Sequence, residues 1–89
     1  MAYVTIISSK KCEHCRRIKE MVTEAARIAK EPLHLIDVSS DTQAAINIAL
    51  MFDFDTVPSL VINGVGFNGH NYSLEDLVRA MPLRRRSNG

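Results

Sequence analysis

The feature that most constrains this chain is an apolar, β-branched run, Tyr3-Val4-Thr5-Ile6-Ile7, leading through a short polar loop into Cys12-Glu13-His14-Cys15 at the head of a strongly patterned helix. Those two cysteines are the only ones in 89 residues. A strand that feeds a Cys-x-x-Cys at a helix N-terminus is a redox arrangement, because the unpaired amide N–H groups and the positive dipole end there stabilise a thiolate. Cysteines so close together cannot staple a small secreted fold across long loops. In a reducing compartment the same spacing reads as redox or metal chemistry.

The first strand, Tyr3 to Ser8, is apolar almost throughout, which suits a central strand covered on both faces. Helix one is expected to begin at about Cys12. From Cys15 onward Ile18, Met21, Val22, Ala25, Ala26 and Ala29 recur at the three- and four-residue spacing of one face, while Arg16, Arg17, Glu20, Thr23, Glu24 and Arg27 fall mostly on the other. This wheel places Cys15 on the apolar stripe and Cys12 at the tip, so the first sulfur should be accessible and the second more buried. The helix ends at Lys30-Glu31-Pro32, where the residue before proline is pushed out of helical geometry, and Leu33 to Val38 forms a second strand. Strand, helix, strand over so short a stretch is a right-handed βαβ unit with parallel strands.

A second helix is expected from about Asp41 to Phe52, with Ser40 as N-cap and Gln43 completing a capping box. Its stripe is Ala45, Ile48, Ala49 and Phe52, yet Ile46, Leu50 and Met51 are apolar too. Such a helix is either heavily buried or carries an exposed patch, and burial is the expectation favoured here. Ser59 to Ile62 and Val65 to Phe67 flank Asn63-Gly64, the strongest short hairpin signal, since a type I′ turn needs positive φ at both central residues. Ser73 then caps a third helix with Leu74, Leu77, Val78 and Met81 on its apolar face and Pro82 as its stop. The chain thus reads as one domain over residues 1–82, followed by a basic tail over 83–89, including Arg84-Arg85-Arg86, that should be disordered.

The order β-α-β-α-β-β-α, with Cys12-x-x-Cys15 after strand one and Thr56-Val57-Pro58 before strand three, resembles the thioredoxin/glutaredoxin superfamily in its smallest form. The resemblance spans Met1 to Met81. It implies an α/β fold with a four-stranded mixed sheet, helices one and three on one face and helix two on the other, and a cis peptide bond before Pro58. It further implies a thiol–disulfide oxidoreductase without a bound cofactor, working through a redox-active Cys12–Cys15 disulfide. Cys12 attacks a substrate disulfide and Cys15 resolves the mixed disulfide; Lys10, Lys11 and His14 favour the thiolate, while Glu13 opposes it. Thr56, Val57, Pro58 and Gly69 would form the substrate groove, with the Val57 backbone pairing to an extended peptide.

Within the superfamily the chain is mixed. It lacks tryptophan and the Trp-Cys-Gly-Pro-Cys of thioredoxins, and where glutaredoxins carry Gly-Gly followed by a Ser/Thr-Asp pair it has Asn68-Gly69, then His70-Asn71-Tyr72 before Ser73. It looks most like the small thioredoxin/glutaredoxin hybrids of microbes and phages, so a protein disulfide reductase is the leading reading. A glutathione-dependent glutaredoxin, with glutathione as co-substrate, is the second. Readings from another class are a non-catalytic thioredoxin-fold binding module and a metal- or cluster-binding protein. Zinc wants four ligands, and beyond the cysteines only His14, His34 and His70 are offered.

A net charge of +1 with 24% charged residues excludes bulk electrostatic attraction to nucleic acid or membrane. No apolar run approaches the ~20 residues of a membrane span, and the N-terminal residues lack a secretory pattern. The expected partners are disulfide-containing proteins and a reductase or glutathione as electron donor, met by a monomer in the cytoplasm.

Overall fold

The computed structural model describes residues 2–10, 12–69 and 72–82. Lys11, His70, Asn71 and the tail over 83–89 lie outside the described residues, and with them the expected thiolate-tuning role of Lys11 and the disorder of the tail. The elements follow in the order β1 (Ala2–Ser8), α1 (Cys15–Ala29), β2 (Leu33–Ser39), α2 (Gln43–Phe52), β3 (Ser59–Ile62), β4 (Val65–Phe67) and α3 (Leu74–Ala80). The four strands form one mixed sheet in the order β2-β1-β3-β4. β1 runs parallel to β2 and antiparallel to β3, and β3 is antiparallel to β4. The apolar first strand is therefore central, as its composition requires.

Alternation along β1 divides the sheet into two faces. Val4 and Ile6, with Leu60 and Ile62 of β3, pack against Ile18, Val22, Ala25 and Ala26 of α1 and against Leu77 of α3 and Met81 at its C-cap; all are buried. Ile7, on the opposite face, meets Ala45 and Ala49 of α2. Helices one and three thus share a face and helix two covers the other.

Local chemistry fixes the turns. Asn63 and Gly64 both have positive φ, 48° and 86°, as the type I′ hairpin demands. Ser73 caps α3 through a full capping box with Asp76. Lys30 closes α1 in the left-handed region, its N–H turned back to the carbonyls of Ala26 and Arg27.

Three expectations need correction. Helix one begins at Cys15, not Cys12: the Cys12 N–H bonds to the Ser9 carbonyl at 3.2 Å in a turn, and the first helical carbonyl is that of His14, which accepts from Ile18 at 2.9 Å. The N-cap of α2 is Thr42, whose hydroxyl accepts from Ala45 N at 3.2 Å, in place of Ser40. Finally, α2 is not buried. Ala45 alone is fully covered, and Ile46, Leu50 and Met51 are 45%, 77% and 76% exposed. One helix on one sheet face hides one stripe, and among the described residues no further layer covers its outer side.

Candidate active site

The end of β1 and the start of α1 bring the two cysteines together. Cys12 and Cys15 form a disulfide with their Cα atoms 5.4 Å apart. Cys15, the first residue of α1, is only 6% exposed because it continues the Ile18 and Val22 stripe into the core, whereas Cys12 in the preceding turn is half-buried. The expected difference between the two sulfurs is therefore present. His14 is the N-cap residue but makes no side-chain cap. It and Lys10 are exposed on either side of Cys12.

The parallel pairing of β1 with β2 puts Ser8 opposite Ser39, and so carries Asp37 to the same sheet edge. Lys19 lies one helical turn beyond Cys15 and pairs with Asp37 Oδ2, while Ser8 Oγ donates to Asp37 Oδ1 at 2.5 Å. Ser8, Lys10, Cys15, Lys19, Asp37 and Ser39 line one open cleft of ≈ 440 Å³. Partial burial pushes the Asp37 carboxyl up, but the hydrogen bonds from Lys19 and Ser8 and the Lys19 charge outweigh it, and the carboxyl is held below its ordinary value. Asp37 thus makes an ion pair with Lys19 in the cleft that Cys15 also lines.

The antiparallel pairing of Ile7 with Ser59 brings the Thr56-Val57-Pro58 loop to the same end of the sheet. The Val57–Pro58 peptide bond is cis, Pro58 is buried and Val57 is 44% exposed. Two polar side chains, to which sequence reasoning gave no such role, hold this loop. Buried Ser59 donates its hydroxyl to the Thr56 carbonyl at 2.6 Å and accepts from Gly69 N at 3.2 Å. Asn68 Oδ1 accepts from Thr56 Oγ1 at 3.0 Å, and its Nδ2 donates to Asp55 Oδ1 at 2.7 Å. Gly69 has φ +75°, and a Cβ there would lie 2.9 Å from Thr56 Oγ1. Thr56, Val57, Pro58 and Gly69 are thus brought together as one tied loop pair. No spacing rule connects Ser59 with Asn68.

Tyr72 lies across α1 in a second cleft with His14, Arg17, Ile18 and Met21, its ring edge-on to Phe67 at 5.4 Å. Its hydroxyl is buried with no partner among the described residues, and burial raises its pKa well above the ordinary range. His34 stands exposed on β2 with its ring 5.7 Å from that of Tyr3, away from the cysteines in the strand register. Among the described residues no three His, Cys, Asp or Glu side chains converge to hold a metal ion.

A thioredoxin fold with a Cys-x-x-Cys disulfide at the head of its first helix defines a protein of the thioredoxin/glutaredoxin superfamily, of thiol–disulfide oxidoreductase type. Residues 4–67 match the Glutaredoxin family model, and the chain belongs to that family. Among solved structures it is similar to thioredoxin-2, a component of the malaria parasite protein secretion machinery, with a TM-score of 0.56 and 16% identity over 89% of this chain and 79% of that one. It is also similar to a structure described as that of a malarial protein, with a TM-score of 0.60 and 18% identity over 90% of this chain and 92% of that one. At such identities the likeness is one of fold. No curated protein sequence matches the chain. No helix among the described residues is long and apolar enough to cross a membrane.

Proposed function

We propose that the protein is a dithiol–disulfide oxidoreductase that reduces protein disulfides in the manner of a thioredoxin. The observation that carries this reading is the unequal burial of the two sulfurs at the head of α1, beside the loop that ends in cis Pro58. In the reduced protein Cys12 is the thiolate, at the end of the helix where the unpaired amides lie. It attacks one sulfur of a substrate disulfide; a Cys12–substrate bond forms, and the other substrate sulfur leaves as a thiolate and takes up a proton. Cys15 then loses its proton and attacks Cys12 Sγ, which forms the Cys12–Cys15 bond and releases the second substrate sulfur as a thiolate. Two electrons pass to the substrate. A dithiol reductase, or two molecules of glutathione, must return them.

Lys10 and His14 favour the attacking thiolate, and Thr56, Val57, Pro58 and Gly69 hold the substrate chain next to it. The protein acts as a monomer in a reducing cytoplasm and uses no bound cofactor. Insulin reduction separates the donors: thioredoxin reductase with NADPH should sustain turnover, and glutathione with its own reductase should not. The match to the Glutaredoxin family favours one second reading, in which glutathione is the donor; turnover with glutathione alone would establish it over the first.

A further inference from the structure

We propose that Asn68-Gly69 is a self-modification site, at which the Asn68 amide is converted to a carboxylate through an imide closed by the Gly69 nitrogen, and that the new charge loosens the loop carrying Val57 and Pro58. Asparagine is among the thermolabile side chains, and a glycine after it leaves its backbone nitrogen open to approach, because no Cβ stands beside that nitrogen. The sequence offers three such pairs, Asn63-Gly64, Asn68-Gly69 and Asn88-Gly89. The last lies outside the described residues. The structure arranges the other two differently.

Closing the ring requires the Gly69 nitrogen to attack Asn68 Cγ, a proton to leave that nitrogen, and negative charge to gather on Oδ1 in the tetrahedral state. Each requirement has a partner in place. Asn68 is exposed, and its Oδ1 accepts from Thr56 Oγ1 at 3.0 Å and from Asp55 N at 3.3 Å, donors of the kind that stabilise an oxyanion. The Gly69 N–H donates to buried Ser59 Oγ at 3.2 Å, and the same oxygen lies 3.3 Å from Asn68 Oδ1. One hydroxyl therefore spans the group that gives up the proton and the group that takes the charge. Asn63 is arranged otherwise. Its Oδ1 accepts a single N–H, that of Tyr3, while its Nδ2 donates to two backbone carbonyls, which hold the nitrogen that would have to leave.

In the reaction the Gly69 N–Asn68 Cγ bond forms and the Cγ–Nδ2 bond breaks, and the amide nitrogen departs as ammonia with the proton that Gly69 gives up. The two groups are neighbours in one chain, so the attack has the advantage of an intramolecular step. Water then opens the imide on either side, to aspartate or to isoaspartate. Where Asp55 Oδ1 received a donor at 2.7 Å it now meets a second carboxylate, and the like charges repel. Isoaspartate also lengthens the backbone directly before Gly69, which is packed against Thr56 Oγ1.

The test incubates the oxidised protein for a long period at neutral pH. Fragment mass spectrometry places each deamidated residue, and labelling by isoaspartyl methyltransferase measures isoaspartate, a product that direct hydrolysis of the side chain does not give. Asn68 should convert faster than Asn63, and faster in the protein than in the synthetic peptide Gly66–His70. Thr56→Val removes one donor from Oδ1 at an exposed position and should slow the conversion of Asn68 by about tenfold or more. A rate no faster than that of the peptide, Asn63 converting first, an unchanged rate in Thr56→Val, or aspartate without isoaspartate overturns the site. Asn68→Asp carries one product from the start and tests the consequence. It should unfold at a lower temperature than the parent, and the loss should shrink in an Asp55→Asn background, where the repelling carboxylate is gone. An equal loss in both backgrounds overturns the loosening of the loop by charge. Neither measurement reads disulfide exchange, so both decide the proposal whether or not the protein reduces insulin.

Discussion

Gly69 faces Thr56 across the site so closely that a Cβ on Gly69 would sit 2.9 Å from the Thr56 hydroxyl oxygen. The β4–α3 connection thereby presses directly on the loop that carries Val57 and Pro58. Gly69→Ala adds both that contact and an alanine at φ +75°, and should destabilise the protein by roughly 1–3 kcal/mol and slow insulin reduction. Thermal unfolding of Gly69→Ala in the parent and in a Thr56→Ala background separates the two effects. The cost should shrink without Thr56 Oγ1 and keep its backbone part; equal costs in both backgrounds would rule out the contact.

The unequal burial of the sulfurs assigns different failures to the two cysteine variants. Cys12→Ser should abolish reductase activity. Cys15→Ser should retain attack but accumulate a mixed disulfide with substrate, visible as a mass adduct that dithiothreitol removes. A Cys12→Ser protein that binds disulfide substrates as tightly as the parent, combined with a parent that never turns over, would instead make this a binding module.

The Lys19–Asp37 pair has a signature in acid. The Asp37 carboxyl is held below its ordinary 3.8, so the stability it contributes is fully present above that value and is lost as pH falls through the lower folded value. Denaturant unfolding between pH 7 and pH 3 should therefore show the parent losing more stability below about pH 4 than Asp37→Asn does. Both side chains are about two-fifths exposed, so screening limits their coupling at pH 7 to about 1 kcal/mol or less in a double-mutant cycle with Lys19→Met. Parallel pH profiles would remove the pair from the stability of the fold.

Asn63 does more than turn the β3–β4 hairpin. Its Oδ1 accepts from Tyr3 N at 2.9 Å, and its Nδ2 donates to the carbonyls of Ala80 and Met81 at 3.1 and 2.7 Å. One side chain thus ties the start of β1 to the end of α3. Asn63→Ala leaves these groups without partners at a positive-φ position and should cost about 2–3 kcal/mol in denaturant unfolding. Asn63→Gly, which relieves the backbone but restores no hydrogen bond, should recover only the smaller share. Full recovery by glycine would reduce Asn63 to a turn residue.

What the sequence made legible was whatever repeats at short range. The β1 run, the α1 stripe and Asn63-Gly64 each declare themselves through alternation, helical spacing or a turn preference; the βαβ rule and the hairpin give the β1–β2 and β3–β4 pairs, and the joining of the two pairs into one sheet was implied only by the family resemblance. Ser59 with Asn68, and Asn63 with Ala80 and Met81, were hidden because their bonds join residues nine or more positions apart with no periodic signature. The exposure of Ile46, Leu50 and Met51 was hidden for another reason. A helical pattern says which residues are apolar; the number of layers laid over them is a property of the whole chain. The start of α1 was misjudged by one turn, since Lys10 to His14 contain nothing that distinguishes a polar turn from a first helical turn.

The central place of β1 also orders events during synthesis. Val4 pairs with Leu35 on one side and with Ile62 on the other, so its first partner is translated well before its second. A nascent chain complete as far as Phe52 holds both cysteines and the parallel strand pair, but none of the Thr56 to Ser59 segment that the completed sheet brings to the same end. During that interval the dithiol stands without the Val57–Pro58 loop. Exchange with stray disulfides is therefore a hazard of the growing polypeptide, ended only when β3 closes onto β1.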